Sequence, residues 1–237
     1  TGAEAWPTGN RLQALSTNNY RPRTTNHDVT PLSTDFFDRP TLEVARDLIG
    51  RDLVREHPAG ETLVGRIVET EGYTQEDPAF HGWNLYDEET GEVRREGRAA
   101  DLFGPPGTAY VYLIYGAHWL LNVVTEPDGI GGAVLVRAVE PLRGRDAMHK
   151  RRPAAKKDID LTNGPGKLTE AFGIDGESHR TDLTAPPIYF TDGEPVADDR
   201  VSTSSRIGLT KGVEREWRWF VDGNRFVSQA TPSAHKQ

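Results

Sequence analysis

Three runs of β-branched, aromatic and aliphatic residues follow one another in the middle of the chain. They are Tyr110-Val111-Tyr112-Leu113-Ile114-Tyr115-Gly116, Trp119-Leu120-Leu121-Asn122-Val123-Val124-Thr125 and Ala133-Val134-Leu135-Val136-Arg137-Ala138-Val139. Such residues suit a pleated surface, and the runs read as strands. Gly129 to Gly132 supplies a hairpin turn between the second and third. Upstream, Thr41 to Gly50 carries Leu42, Ala45, Leu48 and Ile49 on one helical face, with Thr41 as N-cap and Gly50 as C-cap. Residues 52–55 and 61–71 read as a hairpin turning at Pro58-Ala59-Gly60. Downstream, residues 143–153 suggest a basic helix, and Lys167 to Phe172 a short helix after the turn Asn163-Gly164-Pro165-Gly166. Residues 188–190 and 217–221 close the sheet. The pattern predicts an α+β fold: a single domain over 34–230 with a curved β-sheet, antiparallel or mixed, flanked by helices. Residues 1–33 lack hydrophobic periodicity and are expected to form an N-terminal extension, with 231–237 a C-terminal tail.

Composition narrows the chemistry. The chain contains no cysteine, which excludes disulfides, iron–sulfur clusters and cysteine-ligated zinc. No apolar run is long enough to span a membrane, and the N-terminus lacks a signal pattern. The expectation is an intracellular protein, in the cytoplasm (at a bacterial nucleoid) or in a nucleus. The formal net charge of −8 argues against a uniformly basic nucleic-acid surface. Its distribution is uneven, since residues 143–157 carry a net charge of +6 from seven basic side chains and Asp146. That segment reads equally as a solvated charged loop or as a basic patch beside a nucleic-acid cleft.

Three groups of residues invite chemistry. Strand alternation puts Glu69, Glu71 and Tyr73 on one face, which suits general-base work; a polar stripe on a solvent-facing edge strand is the other reading. Tyr110 and Tyr112 share a face, while Tyr115 beside Gly116 could project as a stacking wedge or simply pack. His81 matches no metal-ligand spacing, and a hydrogen-bonding role in a pocket suits it better.

Together these segments resemble the alkyladenine (3-methyladenine, N-methylpurine) DNA glycosylase family. The match is carried by Arg66 to Tyr73, His81, Gly104-Pro105-Pro106-Gly107-Thr108, Tyr110 to Gly116, Leu121-Asn122-Val123, Val134 to Leu142 and Asn163 to Leu168, in the family's order over roughly residues 36–222. The resemblance implies that the curved β-sheet is mostly antiparallel, that Glu71 activates water and that Tyr73, His81 and Tyr112 form the walls of a base pocket. It makes Asn122 the residue that penalises the 2-amino group of guanine, and Arg137 a support for the site. Tyr115 would enter the duplex as a wedge, and Arg98, Lys167 and Lys211 would contact DNA. Glu69 is then structural. The implied activity is monofunctional base excision of 3-methyladenine, 7-methylguanine, hypoxanthine or ethenoadenine from double-stranded DNA, by a monomer without cofactor or metal.

Two segments depart from the family's pattern. Residues 82–97 carry a net charge of −3 where the family has a basic loop, with Ala99 in place of its asparagine, and Ala117 and His118 follow the wedge glycine. A non-catalytic nucleic-acid-binding domain on the same fold is the alternative, and a small-molecule hydrolase the third reading. A pure binder would have no need of Glu71.

Overall fold

The computed structural model of the chain describes residues 30–228 apart from 59, 88 and 95, so the expected tail and all but the end of the expected extension lie outside the described residues. Two short helices, α1 (Thr34–Phe37) and α2 (Thr41–Asp47), lead into β1 (Asp52–Glu56) and β2 (Thr62–Thr74). After a long irregular stretch come β3 (Ala109–Ile114), β4 (His118–Val124) and β5 (Gly132–Arg143). Helices α3 (Arg145–Arg151), α4 (Ile159–Thr162) and α5 (Pro165–Phe172) follow. The chain then adds β6 (Thr184–Ala185), β7 (Ile188–Thr191), β8 (Val201–Ser204) and β9 (Arg218–Val221).

All strands join one antiparallel sheet in the order β3-β4-β5-β2-β1-β7-β6. The long strand β2 lies at its centre. β5 runs along one edge of β2; β1 pairs with residues 62–66 on the other edge, and β9, itself paired to β8, takes over at Glu69–Glu71. The sheet is the curved antiparallel one expected, but β2 is no edge strand, which removes the solvent-facing stripe as an account of Glu69 and Glu71.

Midway along β2 the pairing with β5 slips twice, passing over Val68 on β2 and Arg137 on β5. Bulges of this kind bend a sheet and re-aim side chains. Ile67 and Val68, at this slip, are both buried. Two layers of apolar residues cover the sheet. Val44 and Ala45 of α2, with Leu48 after it, pack on β2 and β5, and Thr70 Oγ1 donates to the Ala45 carbonyl at 2.8 Å. Leu168, Ala171 and Phe172 of α5 pack over β4 and β5. A second cluster of Phe80, Leu102, Phe103, Tyr110, Val124 and Ala133 lies under the irregular stretch 75–108.

Several boundaries differ from the sequence expectation, for physical reasons. Pro40, not Thr41, occupies the N-cap of α2. Its first turn is completed from far along the chain, because the Glu126 carboxylate accepts from both the Thr41 N–H (2.6 Å) and its hydroxyl (2.7 Å). Helix α2 ends at Asp47 and Gly50 follows a turn. β2 runs on past Glu71 to Thr74, and α5 starts at Pro165, which suits a first helical position. The short strands β6 and β8 had no legible signal. In the basic segment, Arg145, Arg151 and Arg152 pair with Asp158, Glu61 and Glu170. It is a packed helix and loop whose lysines, Lys150, Lys156 and Lys157, face solvent. The acidic segment forms a small hairpin bridged by Tyr86 and Val93.

Gly65 on β2 lies beneath α5. A Cβ there would sit 2.5 Å from Val139 Cγ2 and 2.9 Å from Phe172 Cζ. We expect Gly65→Ala to lower stability by about 1–3 kcal/mol through overpacking, seen as a lower denaturant midpoint with an unchanged slope.

Candidate active site

Because β2 crosses the sheet centre, Glu69 and Glu71 are both fully buried. Their charges are met from the adjoining strands. Arg137, the bulged residue of β5, donates through Nε to Glu69 Oε1 (3.0 Å) and through Nη1 to Glu71 Oε2 (3.1 Å), and so bridges the two. Arg218 of β9 adds a second bond to Glu69 Oε1 at 2.7 Å. Ser228 donates to Glu69 from its N–H and its hydroxyl, both at 2.7 Å. Burial pushes the Glu69 carboxyl up, but Arg137, Arg218 and the Ser228 N–H outweigh it and hold the group below its ordinary value. The hydrogen bonds to the Glu69 carboxylate thus come from Arg137 of β5, Arg218 of β9 and Ser228, and Glu69 does not line the cleft.

Glu71 has a different set of partners. Oε2 accepts from the Tyr73 hydroxyl (2.7 Å) as well as from Arg137, and Oε1 from the Ile207 N–H (2.8 Å). It lines a cleft of about 560 Å³ together with Tyr73, Tyr112, Tyr115, Arg137 and Lys167. A smaller pocket of about 80 Å³ is lined by Tyr73, His81, Tyr110, Tyr112 and Asn122 and shares Tyr73 and Tyr112 with the cleft. One acid, buried in the wall of a cleft beside an aromatic pocket, is an arrangement that suits general acid–base chemistry.

The pocket rings are close. The centroid of His81 is 5.2 Å from Tyr112 and 5.8 Å from Tyr110, and the two tyrosines are 5.6 Å apart. The Tyr110 hydroxyl lies 2.6 Å from His81 Nδ1. Burial, then Tyr112, raises the ionisation of Tyr110, while burial, then Arg98, lowers that of His81. With His81 neutral, a hydrogen bond donated by the Tyr110 hydroxyl to Nδ1 goes with the tautomer that carries the ring proton on Nε2. Burial, then Glu71, pushes Tyr112 up to about 12, so it too stays a phenol. Asn122 is buried and donates to the Tyr110 carbonyl at 3.1 Å.

Tyr115 tops the β3–β4 hairpin. It is 87% exposed and has a φ of 54°, in the left-handed region that a bulky residue rarely adopts. The tight β3–β4 turn, closed by the Ala117 N–H on the Ile114 carbonyl at 3.1 Å, requires positive φ at both Tyr115 and Gly116. Lys167 stands at the start of α5, facing the cleft, with Nζ 2.8 Å from Asn163 Oδ1. The remaining two DNA-contact expectations sit elsewhere. Arg98 Nη1 donates to the Val111 carbonyl at 2.7 Å, and Lys211 lies over the Trp83 ring at 5.6 Å; neither lines the cleft.

Sequence reading missed Arg218, Ser228 and Ile207. Arg218 had a signal, as a lone arginine inside an aromatic strand. Ser228 and the Ile207 N–H had none, because their contribution depends on where their segments fold. Among the described residues no group of three or more His, Cys, Asp or Glu could hold a metal ion.

Two measurements check this geometry. Glu69→Gln leaves two buried guanidiniums short of a counter-charge and should cost about 3–5 kcal/mol. Since the folded-state carboxyl titrates below its ordinary value, its stabilisation is complete above the normal glutamate range and is lost as pH falls through the lowered value. The wild type minus Glu69→Gln stability difference should be flat near neutrality and shrink below about pH 4.3. Tyr115→Asn, which tolerates the left-handed region, should raise the unfolding free energy by about 1 kcal/mol.

The chain compares with known proteins over nearly all of this framework. The family model described as methylpurine-DNA glycosylase matches residues 35–225. A protein of Salinibacter ruber named as a 3-methyladenine DNA glycosylase is 64% identical over 204 residues, 86% of this chain and 98% of the relative. Counterparts under the same name in Chlorobium phaeovibrioides and Carboxydothermus hydrogenoformans are 40% and 42% identical, covering 85% and 84% of this chain and 98% of each relative. With a match spanning both bulged strands, the pocket and the closing strands, this chain belongs to the methylpurine-DNA glycosylase family.

Proposed function

We propose that this DNA glycosylase flips alkylated or deaminated purines, among them 3-methyladenine, 7-methylguanine, hypoxanthine and ethenoadenine, out of duplex DNA and hydrolyses their N-glycosidic bonds by a monofunctional route. The observation that carries this reading is the position of Glu71: buried, fixed by three donors, and at the junction of the cleft and the aromatic pocket.

The steps follow from the side chains. A base in a duplex must be extruded before its sugar carbon can be attacked, at a cost of a few kcal/mol. Tyr115 is exposed on a hairpin tip and can enter the vacated stack, offsetting part of that cost. The extruded purine lies between Tyr73, His81 and Tyr112, whose electron-rich faces favour a cationic ring. The His81 Nε2–H offers a donor to an acceptor on the base edge, and Asn122 reads the edge that distinguishes guanine. Cleavage passes through an oxocarbenium-like sugar, and the Glu71 carboxylate both polarises the attacking water, taking its proton, and stabilises the developing positive charge. Arg137 and the Ile207 N–H keep the carboxylate from turning away. Lys167, which lines the cleft but not the pocket, contacts backbone phosphate. The enzyme works inside the cell as a monomer, since one lesion needs one pocket.

Single-turnover base release from duplexes carrying each of the four lesions tests the proposal. Glu71→Gln should slow release by about 10²–10⁴-fold while duplex affinity stays close to wild type. Equal rates in the variant would rule out Glu71 as the base, and no release by the wild type from any duplex would rule out the substrate class.

A further inference from the structure

An ion pair lies behind the pocket wall. Arg206 is fully buried, and its guanidinium carbon sits 4.5 Å from the centre of the Tyr73 ring. Arg206 lines neither cavity, so it covers Tyr73 from the side turned away from both. Both terminal nitrogens engage the carboxylate of Asp77, itself fully buried, with Nη2 at 3.1 Å from Oδ1. Arg206 also donates to the carbonyls of Gly72 (2.9 Å) and Gly212 (3.2 Å), and Trp217 closes over it at 5.3 Å. Arg215 lies 3.9 Å from Asp77 but reaches solvent, where its charge is screened. Gly212 makes room for the pair, since a Cβ there would lie 2.6 Å from Asp77 Oδ1.

We propose that Asp77 and Arg206 form a specificity-determining pair for charged bases: Arg206 holds Tyr73 as a rigid stacking platform, and Asp77 cancels the charge that Arg206 brings. This rests on the reading of Tyr73 as a surface on which the extruded base stacks. A purine on the free face of Tyr73 would lie about 8 Å from the guanidinium, given usual stacking distances. Without Asp77, two positive charges at that distance in a protein interior repel enough to cost tenfold or more, roughly, in the binding of a cationic base. A neutral purine feels no such penalty. Carbonyls alone could anchor an arginine there; a fully buried carboxylate is needed only to neutralise it. Arg206 also immediately precedes Ile207, whose N–H fixes Glu71, so removing Arg206 would disturb positioning as well as charge. Asp77 is therefore the residue to vary.

Asp77→Asn keeps the shape and one acceptor oxygen but removes the charge. Single-turnover base release would be compared between cationic lesions (3-methyladenine, 7-methylguanine) and neutral ones (hypoxanthine, ethenoadenine). The expected result is a loss about tenfold larger, or more, for the cationic lesions, with Asp77→Glu restoring the wild-type ratio even if overall rates fall. Equal slowing of both classes by Asp77→Asn would assign the pair a merely structural role and overturn the proposal. Should that variant not fold, as judged by circular dichroism, the double variant Asp77→Asn/Arg206→Gln removes both charges. It should keep the wild-type cationic-to-neutral ratio, and a ratio shifted against cationic lesions would overturn the proposal. If Tyr73→Leu leaves all four rates unchanged, the stacking role of Tyr73 itself fails and the proposal falls with it.

Discussion

Glu69 and Glu71 are carried into the interior by the central strand, and an ionised carboxylate can stay there only if it is paired and hydrogen-bonded. Much of the architecture around β2 answers that demand. The bulge in β5 turns Arg137 between the two acids. The late strand β9 brings Arg218, and the chain beyond it returns to place Ser228 on Glu69. The loop after β8 delivers the Ile207 N–H to Glu71. The hydrogen bonds that fix Glu71 are therefore complete only when segments 136 residues apart have met.

The two acids are alike in sequence and unlike in role because of their partners. Glu69 is surrounded by two guanidiniums and a serine, with no lining position in the cleft. Glu71 shares one guanidinium and faces the cavity beside Tyr73. Two residues apart on β2, the acids differ in access because the register of β2 on β5 slips on both sides of Glu69. Glu71 is buried among its partners, whereas Tyr115 stands out, exposed and with a positive φ, on a hairpin tip. The acidic hairpin at 82–97 and the basic α3 region temper the expectation of a simple charged footprint: the arginines of α3 and its flanks are engaged in ion pairs, and Lys167 is the basic residue that fronts the cleft alongside Arg137 and Arg152.

Local signals in the sequence determined a good deal. The runs at 110–116, 119–125 and 133–139 became β3, β4 and β5 because aromatic and β-branched side chains suit a pleat whatever surrounds it. The residues of the pocket were legible as a set, since Glu71, Tyr73, His81, Tyr112, Asn122 and Arg137 stand in the order that the family shares, and the structure brings them to one junction. Whether Glu69 and Glu71 faced solvent or core was not legible, because period-two alternation is the same on an edge strand and a central one. Only the pairing of β2 on both edges decided it. The slips of β2 on β5, the remote cap of α2 by Glu126, and the Asp77–Arg206 pair behind Tyr73 join residues between roughly 70 and 130 positions apart or rest on a slipped register. No local pattern encodes such contacts, so local patterning specified the strands and the family resemblance pointed to the pocket residues, while tertiary closure alone chose which charges would be buried together.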